Sequence, residues 1–462
     1  MENKPDKTPP TENKMGVMPV GKLLFSMSVP MMISMLVQAL YNIVDSIFVA
    51  QISENALSAV SLAFPLQTLM IAVAGGTGVG INALISRSLG AKDQNTADRV
   101  ANVGILLSLC SYAAFAVLGA LLTGPFFRFQ TDVTEIVNHG TAYGRICLCA
   151  SLGIFCQFVM ERLLQSTGRT KLSMISQLTG AILNIILDPI LIFGLFGLPR
   201  LEVAGAALAT VIGQWVAAGL GLFLNLRYNP ELHLSPKRMR FHGPTIKAIY
   251  RIGVPSILMQ CIGSVMVFFF NRILLSFTTT ATAVFGAYFK LQSFIFMPIF
   301  GLNNGMVPIV AFNFGARKPH RMKKTIKLAV ITAICIMALG TAAFESIPQV
   351  LLGFFNPSPD MLAIGVPALR IIAIHFVLAG FAIPVISVCQ AIGNPFYSLI
   401  CSASRQLAVL LPVAWLLSQT GNLNLVWLAF PIAELVSLVL AIFFLGRTLR
   451  KADKIMAGES PM

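Results

Sequence analysis

The chain has 462 residues, of which 56% are hydrophobic and 11% charged, and its mean hydropathy is +0.80. Soluble domains carry about 25% charged residues, so this composition excludes an ordinary soluble protein and indicates a polytopic membrane protein. The net charge of +15 raises the question of nucleic-acid binding. The positions of the Lys and Arg residues, given below, argue against that partner.

Twelve apolar runs follow one another along the chain, each about 20 residues or longer, which is the length of a transmembrane helix. We therefore predict an all-α membrane protein with twelve spans. The predicted spans are 23–50, 57–86, 100–123, 141–166, 172–198, 203–226, 252–277, 281–311, 325–345, 361–391, 396–418 and 424–446.

The distribution of Lys and Arg residues indicates which loops face the cytoplasm. Most of the 33 Lys and Arg residues fall in the segments of one side, whereas the opposite loops hold only Arg128 and Arg200. The positive-inside rule then predicts that both termini are cytoplasmic. The positive charge is an orientation signal, so we expect no nucleic-acid partner. All eight cysteines lie inside predicted spans, which argues against a disulfide framework.

The chain repeats itself at a constant offset of 225 residues. The matched pairs are "SVPMMI" (28–33) with "GVPSIL" (253–258), Gly76 with Gly301, Gly80 with Gly305, and "LGAKD" (89–93) with "FGARK" (314–318). The repeated unit holds six spans, an even number, so both copies enter the membrane the same way round. The sequence predicts two pseudo-symmetric six-helix lobes that enclose a midplane cavity and rock to give alternating access.

This repeat divides the chain into five predicted segments. They are a cytoplasmic N-terminal tail (1–22), an N-lobe of spans 1–6 (23–226), a cytoplasmic linker (227–250), a C-lobe of spans 7–12 (251–446) and a cytoplasmic C-terminal tail (447–462).

The stretch "NIILDPILIF" (184–193) places a carboxylate in an apolar run. An Asp at the bilayer centre costs about 2.5–3.5 kcal/mol, so its presence suggests a function. Asn184 and Asp188 are four residues apart and share one helix face. Pro189 cannot donate to the carbonyl of Ile185, and Pro30 leaves a similar free carbonyl in span 1, so both predict helix bending. Low dielectric favours the neutral form of a carboxyl group, which would make a pair of such groups a proton-coupling switch.

The repeat provides a control for this interpretation, because residues needed only for the fold should have similar partners 225 residues away. The polar candidates of the N-terminal half have no similar residues at the equivalent positions. Asp45 corresponds to Phe270, Tyr143 to Ala368, Asn184 to Val409, Asp188 to Val413 and Thr210 to Leu435. The alternative is that these side chains are hydrogen-bonded packing groups. In the C-terminal half, we expect Glu434 to form an ion pair with either Lys290 or Arg405.

Sequence motifs for ATP hydrolysis, metalloprotease chemistry, prenyl transfer and a nucleophile elbow are missing, so we predict that the protein is not an enzyme. Transport energy would come from an ion gradient, which supplies about 2.3 kcal/mol per charge per 100 mV. A passive channel would not need acids and prolines confined to one lobe.

The motifs "YNIVDSIFVA", "GRT", "LNIILDPILIFG", "AGAALATVIGQ" and "FGLNNGMVPIVAFNFGAR" resemble the multidrug and toxic compound extrusion (MATE) family over nearly the whole chain. The resemblance implies that Asp45, Tyr143, Asn184, Asp188 and Thr210 bind the coupling cation and that Pro30 bends span 1. Some relatives use sodium through acids of the C-lobe, but the aligned positions here, near Gly263 and Phe381, are small or apolar. Sodium at the N-lobe cluster remains the alternative to a proton.

These observations together predict a cation-coupled multidrug antiporter of the bacterial inner membrane, acting as a monomer without a cofactor or a further metal site. Its expected partners are amphipathic organic cations and membrane lipids. The alternative is a lipid-linked oligosaccharide flippase of the same superfamily, which would require Arg or Lys residues inside the N-lobe rather than acids.

Overall fold

The computed structural model describes residues 13–355 and 357–459, and helices make up nearly all of this range. Eleven of the described helices are long and apolar enough to cross a membrane. A pair bent by 45°, Thr134–Cys149 and Leu152–Ser166, meets the same criterion when taken together, and counting it as one span gives twelve. No β-strand occurs in either described range. The predicted all-α class is confirmed. A helix suits a long apolar run in lipid because it satisfies its backbone polar groups within the segment.

Eight α-helices form the described part of the first half. They are α1 (Lys14–Val17), α2 (Val20–Ala50), α3 (Glu54–Gly90), α4 (Gln94–Gln130), α5 (Thr134–Cys149), α6 (Leu152–Ser166), α7 (Thr170–Phe193) and α8 (Glu202–Tyr228). Helices α2 and α7 run without interruption through Pro30 and Pro189.

Nine further α-helices form the described part of the second half. They are α9 (Gly243–Leu275), α10 (Thr279–Gly315), α11 (Pro319–Ser346), α12 (Pro348–Gly353), α13 (Pro359–Ile392), α14 (Pro395–Ala403), α15 (Leu411–Ser418), α16 (Leu423–Trp427) and α17 (Ala429–Ala457). A π-helical turn, Ser404–Leu410, joins α14 to α15.

The turn after α3 and the turn after α10 show the internal repeat in the backbone. Lys92 and Arg317, which are 225 residues apart, both adopt left-handed conformations, with φ of 58° and 54°. Asp93 caps α4 by accepting a hydrogen bond from the backbone N–H of Thr96 at 3.0 Å. Hydrogen bonds from Thr96 hold the pKa of the Asp93 carboxyl below its ordinary value.

The two halves meet through α2 and α3 on one side and α9 and α10 on the other. Glycines allow the backbones to approach closely there. A Cβ on Gly90 would collide with the carbonyl oxygen of Phe312, and a Cβ on Gly315 would collide with that of Arg87. Gly90 and Gly315 are related by the 225-residue offset, as are Arg87 and Phe312. The repeat therefore places equivalent contacts on both sides of the interface between the lobes.

One end of the bundle carries the described parts of both tails. Lys323 of α11 pairs with Asp453 of α17 at 2.8 Å, and Lys318 donates to the carbonyl of Gly16 in α1 at 3.0 Å. The turns after α3 and α10 lie at the same end, which we call the basic face. Its basic residues are those that the sequence assigned to the cytoplasm.

Candidate functional site

The structure brings the polar candidates of the first half together. Asp45 lies on α2, Tyr143 on α5, Asn184 and Asp188 on α7, and Thr210 on α8. Helix α7 packs against α2, α6 and α8, and α8 also packs against α5. The predicted residues therefore form one cluster inside the N-lobe.

Asn184 is the central hydrogen-bond donor of this cluster. Its amide nitrogen, Nδ2, lies 3.2 Å from Oγ1 of Thr210 and 3.4 Å from Oδ1 of Asp188. Asn184 is 2% exposed and Asp188 is fully buried. The four-residue spacing places Asn184 and Asp188 on one face of α7. The amide of Asn184 therefore contacts Asp188 on its own helix and Thr210 on α8.

The two carboxyl groups lie close enough to interact electrostatically. Oδ1 of Asp45 and Oδ2 of Asp188 are both buried, and neither finds a hydrogen-bond partner among the described residues. A buried charged oxygen without a partner is strongly unfavourable, whereas a bound proton or cation would satisfy it. Two carboxyls, one amide and nearby hydroxyls form an oxygen-rich set that suits a proton or sodium.

Two residues that the sequence analysis missed belong to the cluster. Gln67 on α3 donates from Nε2 to the hydroxyl of Tyr143 at 2.8 Å. Gln67 has a repeat counterpart of the same type, Gln292, so the comparison of the two halves does not single it out. Tyr41 lies one helical turn before Asp45 and within electrostatic range of both carboxyls. The i, i+4 spacing in "YNIVD" was the signal that could have identified Tyr41.

The equivalent region of the C-lobe is an aromatic core. Phe270, the repeat counterpart of Asp45, is fully buried, and its ring centroid lies 4.8 Å from that of Phe285 and 5.1 Å from that of Phe430. Trp427 completes the group at 6.0 Å from Phe270. The polar cluster and this aromatic core thus occupy pseudo-equivalent positions.

Glu434 pairs with Arg405 rather than with Lys290. Arg405 Nη1 lies 3.3 Å from Oε2 of Glu434, and the Glu434 side chain is 3% exposed. Lys290 is exposed. Arg405 projects from the π-helical turn between α14 and α15. The structure therefore selects one of the two ion pairs that the sequence allowed.

Comparison with known proteins gives consistent matches over both halves. The MatE family profile matches residues 30–190 and 255–416. The multidrug export protein MepA of Staphylococcus haemolyticus is 32% identical, covering 92% of this chain and 93% of that protein. A protein of Shewanella oneidensis named FAD transporter is 26% identical, covering 96% of this chain and 98% of that protein.

A solved structure extends the likeness to the fold. A transporter described as an outward-facing conformation of a multidrug resistance MATE family transporter superposes with a TM-score of 0.91 and 26% identity, covering 97% of this chain and 100% of that one. That agreement includes the two-lobe arrangement. On the profile match, the relatives and the fold, this chain belongs to the MATE family of membrane transporters.

Proposed function

We propose that this protein is a multidrug efflux antiporter that exports amphipathic organic cations in exchange for a coupling cation bound by Asp45 and Asp188. The observation that carries the proposal is the pair of carboxyl groups on the packed helices α2 and α7, each with a buried oxygen that has no hydrogen-bond partner among the described residues. The name of the MepA relative supports drugs as the substrate class.

The mechanism follows from competition for these oxygens. With the carboxyls ionised, the cluster attracts an organic cation, and with a proton or sodium bound, that attraction is lost. Asn184 holds Asp188 and Thr210 in one network, so a change in the charge of Asp188 is passed from α7 to α8. A proton is the favoured ion because two close carboxyls share one readily, and sodium is the alternative.

The cellular setting is part of the same proposal. The protein would lie in a bacterial cytoplasmic membrane as a monomer, with both termini in the cytoplasm, and would bind neither nucleic acid nor a cofactor. The unequal distribution of Lys and Arg supports this orientation. A protease site on a C-terminal tag should become accessible only after the cell membrane is permeabilised.

The test is efflux of a fluorescent organic cation from proteoliposomes, with proton and sodium gradients imposed separately. The wild type should respond to the proton gradient, and Asp188→Asn should lose that response. Asp360→Asn, which changes an exposed carboxyl at the start of α13, is the control and should transport normally. Transport driven by the sodium gradient alone would identify sodium as the coupling ion. Equal transport by Asp188→Asn and wild type would remove Asp188 from the mechanism.

The FAD transporter relative motivates a second substrate assay with FAD as the cargo. FAD carries an anionic pyrophosphate, which two carboxyls would repel, so we expect no FAD transport through the N-lobe cluster. Transport of FAD without transport of organic cations would contradict the proposal. The flippase alternative meets the same electrostatic objection, because its lipid carrier is also anionic.

A further inference from the structure

A cavity of about 470 Å³ opens on the basic face, beside the contact between the two lobes. Its apolar part includes Leu84, Ile252 and Phe314. Four cationic side chains also line it: Arg87 from α3, Lys247 and Arg251 from α9, and Lys451 from α17. No carboxylate occurs among the described residues that form the lining. The cavity therefore gathers positive charge from both lobes.

Few groups in the described part of the chain offset the positive charge of these four side chains. None of them takes part in an ion pair there. Lys451 makes one long hydrogen bond, from Nζ to Oδ1 of Asn394 at 3.4 Å, and the guanidinium of Arg87 lies 5.1 Å from the ring centroid of Phe314. Like charges gathered in a concave site raise the local potential and favour an anion.

The internal repeat shows what an equivalent groove looks like when it is filled. Gly393 at the cavity corresponds to Gly168 in the first half, and both have positive φ, 96° and 86°. Beside Gly168, helix α1 occupies the groove. A Cβ on Gly168 would lie 3.0 Å from the side chain of Lys14, and Asn13 donates to the carbonyl of Thr167 at 3.3 Å.

In the filled groove, the backbone of α1 accepts hydrogen bonds from basic side chains. Arg321 donates to the carbonyl oxygens of Met15 and Met18 at 3.2 and 2.6 Å, and Lys318 donates to that of Gly16. Both cations belong to the C-lobe, whereas α1 also contacts the N-lobe. Helix α1 therefore bridges the lobes by offering acceptor oxygens to basic side chains.

The linker does not play this role in the second half. Residues of the linker that precede α9 are held against α4 instead, where His233 and Arg238 contact Oδ2 of Asp98 at 3.0 and 3.2 Å. The groove beside Gly393 thus remains an open cavity. Apart from the long hydrogen bond between Lys451 and Asn394, no described segment supplies an acceptor oxygen to the four cations of this cavity.

We propose that this cavity binds the phosphate group of an anionic ligand, which bridges Arg87 of the N-lobe to Lys247, Arg251 and Lys451 of the C-lobe. Arginine suits the planar, bidentate recognition of phosphate, and the lysines add point charges. The apolar part of the lining suits a ligand with an attached hydrocarbon. Anionic phospholipid headgroups carry this chemistry at the cytoplasmic surface of membranes, and soluble phosphate compounds share it.

The test is thermal unfolding of the detergent-purified full chain during titration with short-chain phosphatidylglycerol, short-chain phosphatidylcholine or inorganic phosphate. Phosphatidylglycerol should raise the Tm saturably and phosphatidylcholine should not. Each removed cation should weaken binding about fivefold, so the double variant Lys247→Gln/Arg251→Gln should need about 25-fold more phosphatidylglycerol. Both side chains are exposed, so this variant should fold normally.

The matched control is Lys324→Gln/Lys327→Gln, which removes two exposed cations of α11 outside the cavity. It should bind as the wild type does. A response to inorganic phosphate that the cavity variant loses would support the phosphate site and assign its ligand to solution compounds. Equal affinity of the cavity variant and the wild type, or equal responses to both lipids, would overturn the proposal.

Discussion

The ring of Phe270 packs against the ring of Phe285 with 4.8 Å between centroids, at the place where the repeat puts the counterpart of Asp45. The same scaffold thus supports a carboxyl in one lobe and a closed aromatic core in the other. The backbone does not require the acid. This contrast separates residues that build the fold from residues that we assign to ion coupling.

Replacing Phe270 by Asp should destabilise the protein without creating a second coupling site. The substitution removes aromatic packing and buries an unpaired carboxyl, so we expect a loss of more than about 3 kcal/mol. Thermal unfolding in detergent would measure this loss. Phe270→Leu keeps an apolar side chain and should lose less. A second coupled ion per transport cycle in Phe270→Asp would contradict the argument from asymmetry.

Replacing Asn184 by Ala should loosen the N-lobe cluster, because it leaves Asp188 and Thr210 without their shared amide donor. Buried groups left without a partner cost about 1–3 kcal/mol. A double-mutant cycle with Thr210→Ala should show a coupling energy of at least about 0.5 kcal/mol.

Thr179 provides the control for that cycle, since among the described residues its hydroxyl donates only to the carbonyl of Ile175, one turn earlier in α7. The pair Asn184→Ala and Thr179→Ala should be additive. Additive behaviour of Asn184→Ala and Thr210→Ala would show that the hydrogen bond between Asn184 and Thr210 contributes nothing to stability in solution.

Removing Arg405 should be more harmful than removing Lys290. Arg405→Met leaves the buried carboxylate of Glu434 without its cation, which costs about 3–5 kcal/mol. The double variant Arg405→Met/Glu434→Gln should recover most of this loss, because neither charge then remains. Lys290→Met, at an exposed position, should change the stability by no more than about 0.5 kcal/mol. Unfolding temperatures of the four proteins decide between these outcomes.

Replacing Gly315 by Ala should disturb the contact between the lobes. The new methyl group would collide with the carbonyl oxygen of Arg87, and overpacking of this kind costs about 1–3 kcal/mol. Gly286→Ala on the same helix meets nothing within 4 Å and should be neutral or stabilising. Thermal unfolding compares the two variants, and equal stability would mean that the lobes do not approach as closely as the structure shows.

The sequence alone determined the features that depend on local composition and on register along the chain. Apolar runs predicted the helical membrane fold, and the 225-residue offset predicted two lobes with matched glycines at equivalent positions. At the repeat-equivalent positions of Asp45 and Asp188, the second half has Phe270 and Val413 instead of acids. This difference singled out the N-lobe cluster. Each of these signals can be read without knowing which helices are neighbours.

Only the tertiary structure decided the side-chain partners. It brought Gln67 to Tyr143, paired Glu434 with Arg405 instead of Lys290, and placed α1 in one groove while the linker went to α4. These choices depend on how each helix is rotated and on which distant helix lies beside it. Almost every face of a membrane helix is apolar, so hydropathy does not indicate how the helix is rotated about its axis. The contacts between side chains therefore depend on packing between helices that are distant in the sequence.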